Sequence, residues 1–127
     1  IEKFTNINGK SAVYIQYTQV RAKKLIVDFN EKPSFNKIQN NDRPLIIELI
    51  KFNYYFNLAL KNNEPHHLAE YLYELCQAFN LFYKTNKIFT DKNTPNEISH
   101  YIYIVESFYN TLMTVFGCLG IEPVESM

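Results

Sequence analysis

An all-α helical bundle of four main helices is the fold this sequence predicts, and three observations carry it. Apolar residues recur at three- and four-residue steps over long stretches, as in Leu68, Leu72, Leu75, Cys76, Phe79 and Tyr83. Only 3 Gly and 5 Pro punctuate 127 residues, too few for a turn-rich β fold. At 46% hydrophobic and 16% aromatic, the chain has ample core material and does not read as a disordered tail. Its length suits one domain, 1–127.

The first helix is expected from about Ser11 to Phe29, behind an Asn8-Gly9 turn and ended by Asn30 and Pro33. A polar loop, 31–42, follows, with Phe35 and Ile38 as its apolar anchors. The second helix opens at Pro44 with Asp42 as N-cap and runs through Leu60. It is apolar nearly all round (Leu45, Ile46, Ile47, Leu49, Ile50, Phe52), which suits a central helix. The third opens at Pro65, capped by Asn63, and runs to about Lys84. The fourth starts at Thr94-Pro95-Asn96-Glu97, a capping box with proline in the first helical position. It continues to Leu119 and stops at Gly120, leaving a short tail, 121–127. No internal repeat is visible.

Net charge is zero, so the global field recruits neither nucleic acid nor acidic lipid. The average conceals an asymmetry. Residues 1–51 carry nine Lys/Arg against five Asp/Glu, and 52–127 carry four against eight. A polyanion would face the first half. Fifteen Asn point to a compositional bias of the source as much as to function. Cys76 and Cys118 sit in apolar surroundings with no accompanying metal or redox motif, and read as buried thiols of a reducing compartment. No window approaches the ~18 apolar residues of a membrane span, and no basic-then-apolar signal opens the chain.

Catalytic signals are sparse. Glu70 and Glu74 lie one turn apart on the polar side of the third helix and read as a solvated face. His66 and His67 are adjacent, so on a helix they point about 100° apart, and no carboxylate or thiol stands at a chelating step from them. With three glycines there is no phosphate-cradling loop. Nothing marks a nucleophile turn. Neither a catalytic residue nor a metal site is assigned.

The informative stretch is the first helix. At 100° per residue Tyr14, Tyr17, Arg21 and Lys24 share one arc of about 80°, while Ile15, Ala22 and Ile26 gather elsewhere. Phenol rings beside cations form a surface for unstacked bases, because aromatic faces stack any base and guanidinium grips phosphate or a base edge. The competing reading is that the tyrosines are core and the cations a solvated rim.

The run Val13-Tyr14-Ile15-Gln16-Tyr17-Thr18-Gln19-Val20-Arg21 resembles the Tyr-aliphatic-Gln-Tyr-Ala-x-x-Arg signature that opens the anticodon-binding domain of arginyl-tRNA synthetases. Asn8-Gly9-Lys10-Ser11 resembles the turn before it. Pro65 through Leu75, then Phe79 to Tyr83, is similar to that family's third-helix pattern. Leu119-Gly120-Ile121-Glu122-Pro123-Val124-Glu125-Ser126-Met127 is similar to the ending of these synthetases. Three patterns in order span the whole chain.

The resemblance implies an all-helical DALR-type domain, cut from the C-terminal end of a longer class I synthetase, that docks on the anticodon stem-loop of tRNA(Arg) in the cytoplasm. Carried over by position, Tyr14 and Arg21 match residues at the anticodon bases, and Met127 a terminal Met packed on the loop. Gln16, Tyr17 and Tyr83 are further transfers, and Lys23 and Lys24 would attract phosphate. The ATP-binding signatures of class I synthetases are absent. ATP and Mg therefore belong to the catalytic domain of the parent, which is this domain's other partner, and no cofactor or membrane is expected here.

Three departures stand out. Ser126 replaces a frequent Arg, removing a charge near the loop. Thr18 replaces the usual Ala, a change expected to matter little. Ser99-His100-Tyr101 stands where an Arg-Leu pair often begins the fourth helix. Two other classes compete: a helical protein-interaction domain without RNA binding, whose mark would be salt-independent association, and a small helical nuclease, which lacks a suitably spaced Arg and His.

Overall fold

The computed structural model describes residues 9–126 and contains five α-helices. α1 spans Gly9–Phe29, α2 Arg43–Ile50, α3 Phe52–Asn62, α4 His66–Thr85 and α5 Pro95–Leu119, with a single 3-10 turn at Asn40–Asp42 ahead of α2. No strand occurs among the described residues. Gly9 and Lys10 are already helical, so the expected turn before Ser11 is not seen on its glycine side, and Asn8 lies outside the described residues.

α4 and α5 form the centre. Leu72, Leu75, Cys76 and Phe79 of α4 meet Ile102, Val105, Phe108 and Leu112 of α5, all fully buried. The rings of Phe79 and Phe108 stack at 4.3 Å between centroids, 13° from parallel. α1 packs on α5 and α4 through Ile15, Ala22 and Leu25.

The expected second helix is both broken and peripheral. Tyr71 is fully buried, and its hydroxyl donates to the Glu48 carbonyl, the acceptor a continuous helix would offer to the Phe52 N–H. The Lys51 N–H shares the Ile47 and Glu48 carbonyls, a three-centre bond typical of helix ends. The segment therefore ends as α2 and restarts as α3. It packs chiefly on α4 and leaves Ile47, Ile50, Tyr54 and Leu60 exposed, with Leu45 its one fully buried residue. Apolar composition all round does not place it at the centre, because α4 and α5 already fill that position.

Local end signals fare better. Thr94 Oγ1 accepts from the Glu97 N–H at 3.2 Å, and Glu97 Oε1 accepts from the Thr94 N–H at 2.8 Å, closing the capping box. Gly120 ends α5 at φ 74°, in the left-handed region that favours glycine. Asn30 ends α1 likewise at φ 52°. Asn63, expected to cap α4, instead terminates α3 at φ 53°.

Asp42 does precede α2, but its carboxylate does not cap that helix. Oδ2 accepts from the Gln39 N–H at 2.8 Å and lies 2.8 Å from His100 Nε2 on α5. Because His100 Nδ1 accepts the Asn36 N–H at 3.1 Å, the ring proton sits on Nε2 and is donated to Asp42. Ser99 Oγ accepts the Ser34 N–H at 2.7 Å. The departure at Ser99-His100 is thus where loop 31–42 is clipped to α5, and Phe35 packs there at a tilt against His100 and Tyr103. Ile38 stays exposed and anchors nothing.

By length and composition α5 is apolar enough to cross a membrane, contrary to the sequence expectation, yet its apolar residues are spent on α1 and α4. Cys76 is fully buried whereas Cys118 is only half-buried, and neither forms a disulfide. Burial pushes the Cys76 thiol far up, despite the Thr18 hydroxyl beside it. Cys76 is expected to resist a thiol reagent in the folded chain and to react once denaturant unfolds it. Modification at the same rate in both states would contradict that burial.

Candidate nucleic-acid interface

α1 and the end of α4 build a cationic and aromatic surface. Arg21 projects from the fourth turn of α1 with its guanidinium carbon 4.2 Å from the Tyr83 ring centroid and 5.0 Å from that of Tyr17. Both distances lie within cation–π range. Arg21 Nη1 donates to Asn80 Oδ1 at 2.7 Å, and Nη2 reaches the Tyr17 hydroxyl at 3.4 Å. Around this cluster lies an open cavity of about 350 Å³, lined by Tyr17, Arg21, Lys24, Tyr83 and Phe89 among others. Tyr17 and Phe89 are about half exposed, so aromatic faces remain for a ligand to stack upon.

Four of the seven residues singled out from sequence, Tyr17, Arg21, Lys24 and Tyr83, are therefore brought together. Tyr14 does not line the cavity. Its ring packs 5.4 Å from Tyr73, and burial raises its phenol, an effect partly offset by a hydrogen bond with Asn80. Gln16 is half-buried and also outside the cavity. Met127 lies outside the described residues. Lys24 pairs with Asp28 at 3.3 Å, an exposed contact of little energetic weight that nonetheless places an acid on the rim. Lys23 reaches instead toward the Tyr109 ring, at 5.4 Å.

Three polar residues behind this surface escaped the sequence argument. Gln19 is 2% exposed and its Oε1 accepts the Val124 N–H at 2.9 Å, which ties the C-terminal tail to α1. The available signal was its place between Ile15 and Ala22, an amide within an apolar stripe. Thr18 is fully buried; its hydroxyl donates to the Tyr14 carbonyl and accepts from Asn80 Nδ2, both at 2.8 Å. The change from alanine is thus far from neutral. Asn80 of α4 joins Thr18 to Arg21.

The histidine pair also needs correction. Glu64, just ahead of α4, brings Oε2 within 3.6 Å of both His66 Nε2 and His67 Nε2, so a carboxylate does stand within chelating reach. Glu64 is exposed and both histidines are half-buried, so the three lie at the surface.

The DALR anticodon binding domain family matches residues 15–127 of this sequence. The chain belongs to that family. Across its full length this DALR domain is 32% identical to an arginine–tRNA ligase of Agathobacter rectalis and 29% identical to one of Alkaliphilus oremlandii. It spans 23% and 22% of those proteins, under a quarter of their length. Among solved structures it is similar to the arginyl-tRNA synthetase of Thermus thermophilus, with a TM-score of 0.81 and 25% identity over 90% of this chain and 21% of that one. The resemblance read from the α1 signature, the α4 pattern and the tail is borne out, and so is the all-α class. The family match begins at Ile15, one residue after Tyr14.

Proposed function

We propose that this DALR domain binds the anticodon stem-loop of tRNA(Arg) as the single anticodon-binding domain, 1–127, at the C-terminal end of an arginine–tRNA ligase. The observation that carries the reading is Arg21, held between the Tyr17 and Tyr83 rings at the wall of an open cavity. Splayed RNA bases stack on exposed aromatic faces, and a guanidinium offers donors to base edges or phosphate. Lys24 adds positive charge at the rim. Discrimination of the middle anticodon base then follows from donors that stay unpaired when the base is wrong. Ligation of arginine, with ATP and Mg, belongs to the catalytic domain of the parent protein, which works in the cytoplasm.

Titrating an arginine anticodon stem-loop into the isotope-labelled chain tests this. Amide shifts are expected along 14–24, around Tyr83 and at the tail, weaker for a loop with the wrong middle base. Equal shifts for both loops would remove base reading from this surface. No shifts at moderate salt would contradict the RNA assignment and favour a protein partner. Arg21→Ala is expected to cost about 1.5–3 kcal/mol of binding, the range for a hydrogen bond to a charged group, or roughly 10- to 150-fold in Kd. Undiminished affinity in this variant would dismiss Arg21 as a contact.

A further inference from the structure

We propose that Thr18 and Asn80 are positioning residues for RNA reading: the Thr18 hydroxyl orients the Asn80 amide, which holds the Arg21 guanidinium against Tyr83 beside the open cavity. This rests on the anticodon reading above and names what makes that surface specific.

A threonine hydroxyl has one proton to give, and Thr18 gives it to the Tyr14 carbonyl one turn back, at 2.8 Å. Its lone pairs are then left to accept, and the group at 2.8 Å must be the donor side of the Asn80 amide, Nδ2. The amide oxygen is thereby turned toward Arg21 Nη1, 2.7 Å away. The opposite amide orientation would set two donors face to face at Arg21 and break the Thr18 bond as well. Thr18 is fully buried, so water cannot replace a lost partner there.

The consequence reaches both residues that the α1 signature points to. Thr18 bonds the Tyr14 carbonyl while Asn80 bonds Arg21, so the pair links the two across the helix interface. With Nη1 held by Asn80 and the ring plane backed by Tyr83, the guanidinium is oriented before any ligand arrives. Its uncommitted donors are offered to a base or phosphate with little further ordering, which is where affinity and discrimination gain.

The test uses Thr18→Val, which keeps the shape and removes the hydroxyl, and Thr18→Ser, which restores it, with Asn80→Ala as a second route should the valine variant not fold. Two quantities are read: the ring-current-shifted Arg21 side-chain resonances in the RNA-free chain, and stem-loop affinity. Thr18→Val and Asn80→Ala should move the Arg21 resonances toward random-coil positions and weaken binding about tenfold, comparable to one lost charged hydrogen bond. Thr18→Ser should keep both near wild type. Wild-type Arg21 resonances in the valine and alanine variants would overturn the positioning role, whether or not RNA binds. If those resonances move as expected but the wild-type chain binds no stem-loop, the positioning geometry stands and the anticodon reading falls.

Discussion

His100→Ala is expected to lower the unfolding free energy by about 1.5–3 kcal/mol, the range for a hydrogen bond to a charged group. Asp42 is fully buried, and its Oδ1 already lacks a hydrogen-bond partner, so Oδ2 carries the compensation through Gln39 and His100. Removing the imidazole also leaves the Asn36 N–H to water. Urea unfolding followed by far-UV circular dichroism reads the change. A second variant, His100→Ala with Asp42→Ala, should recover part of the loss, because the stranded charge is gone. A shift below 1 kcal/mol in the single variant would show that the clip between loop 31–42 and α5 does not carry this weight.

Phe108→Ala is the other large effect, about 3–5 kcal/mol, combining lost transfer energy with the cavity left behind. Phe108 is fully buried and stacked on Phe79, where the two central helices meet. Domains of this kind have roughly 5–15 kcal/mol in total, so the variant should unfold well below the wild-type denaturant midpoint. It should still bind the stem-loop to the extent that it is folded. Arg21→Ala should behave in the opposite way, losing affinity while its midpoint moves little. Finding that Phe108→Ala unfolds at the wild-type midpoint would mean that the core is not built around this stack.

What could be read from the chain was what short-range chemistry decides. The Thr94 box involves residues three apart, and the left-handed stops at Asn30 and Gly120 need nothing beyond the helix they end. The clustering of Tyr17, Arg21 and Lys24 follows from one helical period. Tyr83 came from the resemblance, which the family match supports over α4.

The remainder depends on partners far along the chain. α2 breaks because a hydroxyl 23 residues later takes its Glu48 carbonyl. Asp42 looks like a cap until His100 arrives from 58 residues away. Thr18 looks like a minor replacement until Asn80 is packed over it, at a separation of 62. The asparagines illustrate the same divide. Asn30 and Asn63 serve their own helix ends, Asn93 holds the Lys87 and Ile88 carbonyls, and Asn80 reaches across to Arg21 at the wall of the open cavity.

The bond between Gln19 and the Val124 N–H joins residues 105 apart. On a ribosome adding about 5–20 residues per second, α1 emerges roughly 5–20 s before the strand of tail that closes over it. For most of that interval α5 is incomplete, and α1 has only α4 to pack against. The bond that secures Gln19 therefore forms only after residue 124 has been added. A chain stalled before residue 124 would leave the Gln19 amide bonded to water instead of to the tail.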